Sequence, residues 1–271
     1  MKLMIFAATN NSLFALGVLE ASVKEGYEVT GVVVRDTFSI DRFKEELAFG
    51  IEHFFKKLIR QIHQRIFSDQ SHKSGWAAYL DERRIKVRSI SACCEEYGIP
   101  LLSSSNINDE KVLNFMDKIA PDLVVFGGGG IVRERILSKA SVLNCHMGLL
   151  PKYRGNYPWI WALANKDFNQ IGLSIHFMEA RLDQGPIIKN FPLDLSKCIS
   201  LHQLVIKLEY QMIPSILTVL SLLKKYASEK SEVPTITQEQ ADGQQYYIPH
   251  KKIMWLAENI FKKFKRDKNV C

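Results

Sequence analysis

Short apolar runs alternate with longer amphipathic stretches along this chain, a pattern that predicts strands and covering helices in turn. Lys2 to Ala8 reads as a strand, Thr9 to Ser12 as a polar turn, and Leu13 to Glu25 as a helix stopped by Gly26. Tyr27 to Val34 supplies the second strand of a βαβ opening. Further strands are expected over Pro100 to Ser103, Asp122 to Phe126, Val142 to His146, Ile171 to Met178 and Ile187 to Leu193. Helices are expected over Asp109 to Ala120 and Val132 to Lys139. The order implies an α/β protein built on a doubly wound, mostly parallel sheet with helices on both faces.

Between Ile40 and Phe67 the pattern changes, with Phe43, Leu47, Ile51, Phe54, Leu58, Ile62 and Ile66 recurring at helical spacing. Asp69 to Gly75 reads as a loop, and Trp76 to Tyr97 as one further helix ended by Gly98. Residues 37–89 are therefore read as a helical insertion in a catalytic domain of residues 1–200, and residues 201–271 as a small C-terminal extension. Leu201 to Tyr226 forms a long amphipathic helix, with a kink expected at Pro214. Ser228 to Gly243 is a polar connection, and the tail from Tyr246 to Lys265 ends in a basic helix. Ile253, Leu256, Ala257, Ile260, Phe261 and Phe264 share one side of that helix, which suits docking on the core, then pairing with a second subunit, then a membrane surface, in that order.

Composition narrows the class. The 271 residues are 46% apolar, enough to bury a substantial core, and no run approaches the length of a membrane span. The first apolar run is too short for a signal peptide, so a cytoplasmic protein is expected. Five cysteines, two of them adjacent (Cys93 and Cys94), show no metal-ligand spacing and read as free or buried thiols. The net charge of +7 resides in two segments, Phe38 to Ile90 at +4 and His250 to Cys271 at +5. Such segments favour phosphate-bearing partners, although a solvated helix face explains either one alone.

The chemistry concentrates around Val142-Leu143-Asn144-Cys145-His146 and, 37 residues past the histidine, Asp183. On a strand, Asn144 and His146 point to one face and Cys145 to the other. An amide can hold an oxyanion, an imidazole exchanges protons near neutral pH, and a carboxylate can orient that imidazole or accept a proton. An isolated Asn-x-His would more often cap a turn. Gly127, Gly128, Gly129 and Gly130 follow a strand and precede a helix, where backbone amides can meet a ligand without side chains in the way. The run is not G-x-G-x-x-G and lacks the acidic ribose partner, which weakens a dinucleotide reading. Asn10, Asn11 and Ser12, between the first strand and helix, suit either a phosphate or an ordinary N-cap. His176, in an apolar strand pattern, reads as a supporting residue, and Trp159, Trp161, Tyr246 and Tyr247 as packing or as stacking surfaces for a base or sugar.

Asn144 to Gly155 (NCHMGLLPKYRG), Trp161-Ala162, Ile171 to Met178 (IGLSIHFM) and Leu182 to Ile188 (LDQGPII) together resemble the signature of the 10-formyltetrahydrofolate-dependent formyltransferases, ordered and correctly spaced over about 45 residues. A looser resemblance runs from Met1 to Val34 and from Ile90 to Pro249. Gly148 departs from it, since a small hydroxyl residue is common there. The resemblance implies a Rossmann-like formyltransferase fold, catalysis by Asn144, His146 and Asp183, and 10-formyltetrahydrofolate as cosubstrate with no metal. It implies a pterin pocket lined by Gly127, Gly128, Gly129, Gly130, Ile131, Leu150, Ala180, Arg181 and Leu182, and an acceptor held by Asn10, Asn11, Ser12 and Arg154. Among acceptors it leaves a nucleotide-linked amino sugar in front, because initiator-tRNA formylation in this family uses a C-terminal β-barrel for which about 40 residues after Ser228 are too few. Glycinamide ribonucleotide and a hydroxylated amino acid stay open. So does an oxidoreductase using the glycine loop. The expected partners are thus a phosphate-bearing small molecule rather than nucleic acid, with a homodimer left open.

Overall fold

The computed structural model describes residues 1–36, 74–86 and 89–267. The helical spacing over residues 40–67 lies outside them. The opening βαβ unit is β1 (Lys2–Ala7), α1 (Leu13–Lys24) and β2 (Glu28–Arg35). Helices α2 (Gly75–Glu82) and α3 (Ile90–Tyr97) follow, then β3 (Leu101–Ser104), α4 (Glu110–Ile119), β4 (Leu123–Gly127), α5 (Glu134–Leu137) and β5 (Ser141–His146). After them come β6 (Tyr153–Gly155), α6 (Pro158–Ala164), β7 (Gly172–Phe177), β8 (Ile187–Pro192), α7 (Leu201–Ser228), β9 (Gln244–Tyr246) and α8 (Lys251–Asp267).

Seven strands form one sheet in the order β3-β2-β1-β4-β5-β7-β8, while β6 and β9 pair separately. The pairs from β3 to β5 are parallel, and β7 and β8 join antiparallel, so the sheet is doubly wound and mostly parallel as expected. Strand alternation sorts its side chains into two cores. Leu3, Ile5, Ala7, Leu123, Val125, Leu143 and Cys145 enter one, beneath α1 and α7, whereas Met4, Phe6, Val124 and Val142 enter the other, with Val112 and Met116 of α4.

The expected helix from Trp76 to Tyr97 is two helices. Arg84 adopts a φ of +53°, which no helix interior tolerates, and Ser89 starts a new helix by accepting from the Ala92 amide. Gly75 lets α2 lie directly on α7, because a Cβ there would come within 1.9 Å of the Ile206 carbonyl oxygen. Its amide donates to Glu209 Oε2 at 2.8 Å.

The C-terminal stretch does not stand apart. Leu204, Leu208, Ile213, Ile216 and Leu220 of α7 belong to the first core, as do Ala257 and Phe261 of α8. Helix α7 runs unbroken through Pro214. Among the described residues it is the one helix whose length and apolar content would suffice to cross a membrane, but half of that window is buried in the protein.

Candidate active site

Strand β5 ends at the carboxyl edge of the sheet, where ligands of doubly wound folds bind. Asn144 and His146 share the face of Val142, and Cys145 turns into the opposite core, where burial pushes its thiol far above the ordinary range. Register with antiparallel β7 sets Asn144 opposite His176 and His146 opposite Ser174. Four polar residues therefore occupy one patch at the strand ends.

Asp183 reaches this patch from the loop after β7. Gly185 permits the approach, since a Cβ would meet the Phe177 carbonyl oxygen at 1.9 Å. Asp183 itself has a φ of +54°, a left-handed conformation that Asp adopts more readily than most residues. Its Oδ2 accepts from the Gly155 amide at 2.8 Å and lies 3.6 Å from His146 Nδ1, while Oδ1 lies 3.7 Å from His176 Nε2. The carboxylate sits between two imidazoles.

Partners fix the rings. His176 Nδ1 donates to the Phe177 carbonyl at 2.8 Å, which leaves Nε2 to accept from Asn144 Nδ2 at 3.1 Å. Burial, reinforced by the neighbouring His146, holds His176 well below the usual histidine pKa, at about 4, so it stays neutral at ordinary pH. His146 Nε2 donates to the Tyr153 carbonyl at 2.8 Å. Its Nδ1 faces the Asp183 carboxylate. The Asn144 amide spends one hydrogen on His176 and keeps a second for a ligand.

Beneath the histidines, Ser174 Oγ receives the Leu150 amide at 2.8 Å and lies 2.7 Å from the Gly148 carbonyl and 2.6 Å from Asn190 Oδ1. Asn190 Nδ2 donates to the Leu150 carbonyl at 3.1 Å. These bonds hold the loop that follows β5. Gly148 has no room for a side chain: a Cβ would stand 2.6 Å from Pro158 Cβ and 3.3 Å from His146 Nε2.

A family profile described as "Formyl transferase" matches residues 48–216. The chain belongs to that family. The match takes in much of the segment expected as an insertion. A methionyl-tRNA formyltransferase of Finegoldia magna is 36% identical over 140 residues, 51% of this chain and 45% of that protein. The chain spans less than half the length of the curated relatives it matches. Glycinamide ribonucleotide transformylase 1 of Symbiobacterium toebii shares the fold at a TM-score of 0.54 and 14% identity, over 88% of this chain and 94% of that one. A sugar 3N-formyl transferase, solved in the presence of dTDP and 5-N-formyl-THF, is similar at a TM-score of 0.51 and 14% identity, over 98% and 81%.

The other residues expected to bind ligands in this chain divide into two groups. The glycine loop is tightly turned: Gly128, Gly129 and Gly130 have φ values of +94°, +114° and +122°, a Cβ on Gly127 would meet the Phe6 carbonyl oxygen at 2.5 Å, and the Arg35 side chain lies against Gly129 and Gly130. Asn108 holds its exit, donating to the Ile131 carbonyl and accepting from the Arg133 amide. Ile131, Ala180, Arg181 and Leu182 are exposed. A ligand at this loop would meet backbone groups with the Arg35 side chain beside them.

Arg154 and Leu150 correct the expectation. Arg154 is 2% exposed, and its guanidinium donates to Gln238 Oε1 and to the carbonyls of Glu239 and Gln240. Gln238 in turn donates to the Gly185 carbonyl at 2.6 Å, two residues from Asp183. Arg154 therefore braces the carboxylate loop from inside instead of meeting an acceptor. Leu150 is likewise buried, with both backbone groups held by Ser174 and Asn190. In the Asn10 to Ser12 loop, Ser12 caps α1, and Asn10 brackets Ser91 at the start of α3 through two side-chain hydrogen bonds. Asn11 stays exposed. Trp161, Tyr246 and Tyr153 stack on one another, with centroids 5.0 and 5.3 Å apart.

A cavity of about 690 Å³, between Lys166 to Asn169 and the end of α8, lies away from this chemistry. His176 was legible only as a supporting residue. Its sequence signal is its strand parity, which puts it on the same face as Ser174 in a run opposite β5.

Proposed function

We propose that this formyl transferase moves a formyl group from 10-formyltetrahydrofolate to a primary amine, and that the amine belongs to a nucleotide-linked amino sugar. The observation that carries the first part is the convergence of Asn144, His146 and Asp183 on one strand end beside the glycine loop. The cosubstrate supplies the activated formyl carbon. The chain supplies charge control and proton transfer.

An acceptor must present a neutral amine, because an ammonium has no lone pair. As it adds to the formyl carbon, negative charge grows on the formyl oxygen, and the free N–H of Asn144 is positioned to hold it. The proton lost from nitrogen passes to the pair of Asp183 and His146, whose 3.6 Å separation exceeds a direct hydrogen bond and suits a relay that tightens with ligand bound; the oxyanion then collapses, the bond between the formyl carbon and N10 breaks, and N10 takes up that proton as tetrahydrofolate leaves. Neutral His176 orients Asn144 and contributes no charge. Gly155 keeps Asp183 in place throughout.

The sugar acceptor is supported by the similarity, over 98% of this chain, to a sugar 3N-formyl transferase solved with dTDP and 5-N-formyl-THF. The test incubates the protein with 10-formyltetrahydrofolate and, separately, amino-sugar nucleotides, glycinamide ribonucleotide, hydroxylated amino acids and methionyl-tRNA. Tetrahydrofolate should appear only when an amino-sugar nucleotide is present. Release with another amine alone would reject the sugar, and no release with any amine, together with binding of a nicotinamide cofactor, would reject formyl transfer.

A further inference from the structure

The basic tail has no part in the chemistry above, yet its fold leaves an unusual surface. Helix α8 buries Ala257, Phe261 and Lys265 against the body, Phe264 stacking on Phe168 at 4.0 Å between centroids. Lys265 is satisfied internally, donating to the carbonyls of Leu195 and Ser196. At 100° per residue, Lys251, Trp255, Lys262 and Arg266 then project along one outward line, with Lys252 and Lys263 beside it. All six are exposed. Only Glu258, paired with Lys262 at 2.7 Å, and Asp267 oppose this charge within the helix.

Large apolar side chains stand exposed among these cations. Trp255 is 67% exposed, and Tyr247 and Ile248, just before the helix, are 75% and 67% exposed. Leu256 is exposed as well. Isolated exposed apolar residues are ordinary, but here four lie within ten residues and beside Lys251 and Lys252.

We propose that this face of α8 docks on an anionic lipid surface, with the lysines and Arg266 at the phosphates and Trp255, Ile248 and Tyr247 at the level of the headgroups. Charge complementarity selects an anionic partner. The aliphatic Ile248 and Leu256 favour a bilayer over RNA, because phosphates and bases offer them no apolar phase, whereas an interfacial helix buries them. A second copy is disfavoured. A two-fold interface would set the same cations against one another. The contact would be peripheral and independent of formyl transfer.

The test is co-sedimentation of the full chain with vesicles of phosphatidylcholine alone or mixed with phosphatidylglycerol, across a salt series. Binding should require phosphatidylglycerol and weaken with salt. One cation near such a surface is worth about fivefold in binding, so Lys251→Gln/Lys252→Gln/Lys263→Gln should lose about a hundredfold. Ile248→Ser/Trp255→Ser should also weaken binding while keeping the salt slope. Circular dichroism melts should be unchanged, because these side chains point outward.

Three results would overturn the proposal. One is no sedimentation with phosphatidylglycerol vesicles at low salt. Another is displacement from vesicles by bulk tRNA with no effect of Ile248→Ser/Trp255→Ser, which would assign the face to nucleic acid. The last is a concentration-dependent dimer that Trp255→Ser abolishes, which would assign it to a second copy.

Discussion

Strand β5 carries two kinds of surface on one face within five residues. Val142 is buried in one core with Met4, Phe6 and Val124, while Asn144 and His146 continue the same alternation toward the end of the strand. Where a helix covers the sheet the face is apolar throughout. Beyond it, the neighbouring positions on β5 and β7 are polar and partnered: Asn144 with His176, His146 with Tyr153, Ser174 with Asn190. The difference teaches that the site is an extension of the core in which hydrogen bonds replace packing, so damage to either part should be separable.

Substitutions sharpen that contrast, beginning with the largest effect. Asp183→Asn keeps an acceptor for the Gly155 amide and tolerates the positive φ, but removes the negative charge beside His146. Turnover measured by folate release should fall roughly 10²- to 10⁴-fold with an almost unchanged melting temperature. On the covered side, Phe6→Ala should cost about 3–5 kcal/mol of stability in denaturant titrations and leave turnover per folded molecule intact. A Phe6→Ala protein that stays folded but inactive would show that the two parts are not separable.

Ser174→Ala sits at the seam. It leaves the buried Leu150 amide without its acceptor, so a loss of about 1–3 kcal/mol is expected in the same titration. Gly148→Ser tests the departure from the family signature. The added Cβ and hydroxyl press on Pro158 and His146, so the change should cost about 1–3 kcal/mol instead of restoring a useful hydrogen bond.

A separate effect is a pH dependence. In the folded chain His176 protonates near 4, against 6.5 for an unhindered histidine, so between those values the unfolded chain takes up a proton that the folded one refuses. Its contribution to stability should be complete above pH 6.5 and decline as the pH falls toward 4. Thermal melts of wild type and His176→Gln across that window measure it, and equal slopes would contradict the assignment.

Much of this contrast could be read from the chain before any coordinates. Unbroken apolar runs in Leu3 to Ala7 and Leu123 to Phe126, and the apolar start of Val142 to His146, give the strands directly, because each lies between two apolar layers. The side on which Asn144 and His146 fall follows from strand parity. The break at Arg84 was hidden because no glycine or proline marks it. Arg154 was misread for a different reason: its partners, Gln238 to Gln240, lie more than 80 residues away, and no local pattern reports them. The β6–β9 pair is three residues long on each side, too short for periodicity to show.

The most direct test is a crystal structure of the protein with 5-formyltetrahydrofolate. The pterin should lie between Gly127–Gly130 and Ala180–Leu182, with the formyl-bearing end within hydrogen-bonding reach of Asn144 and His146. A folate bound instead in the cavity beside Lys166 and Phe264, or a ligand that leaves Asn144 and His146 untouched, would contradict the account.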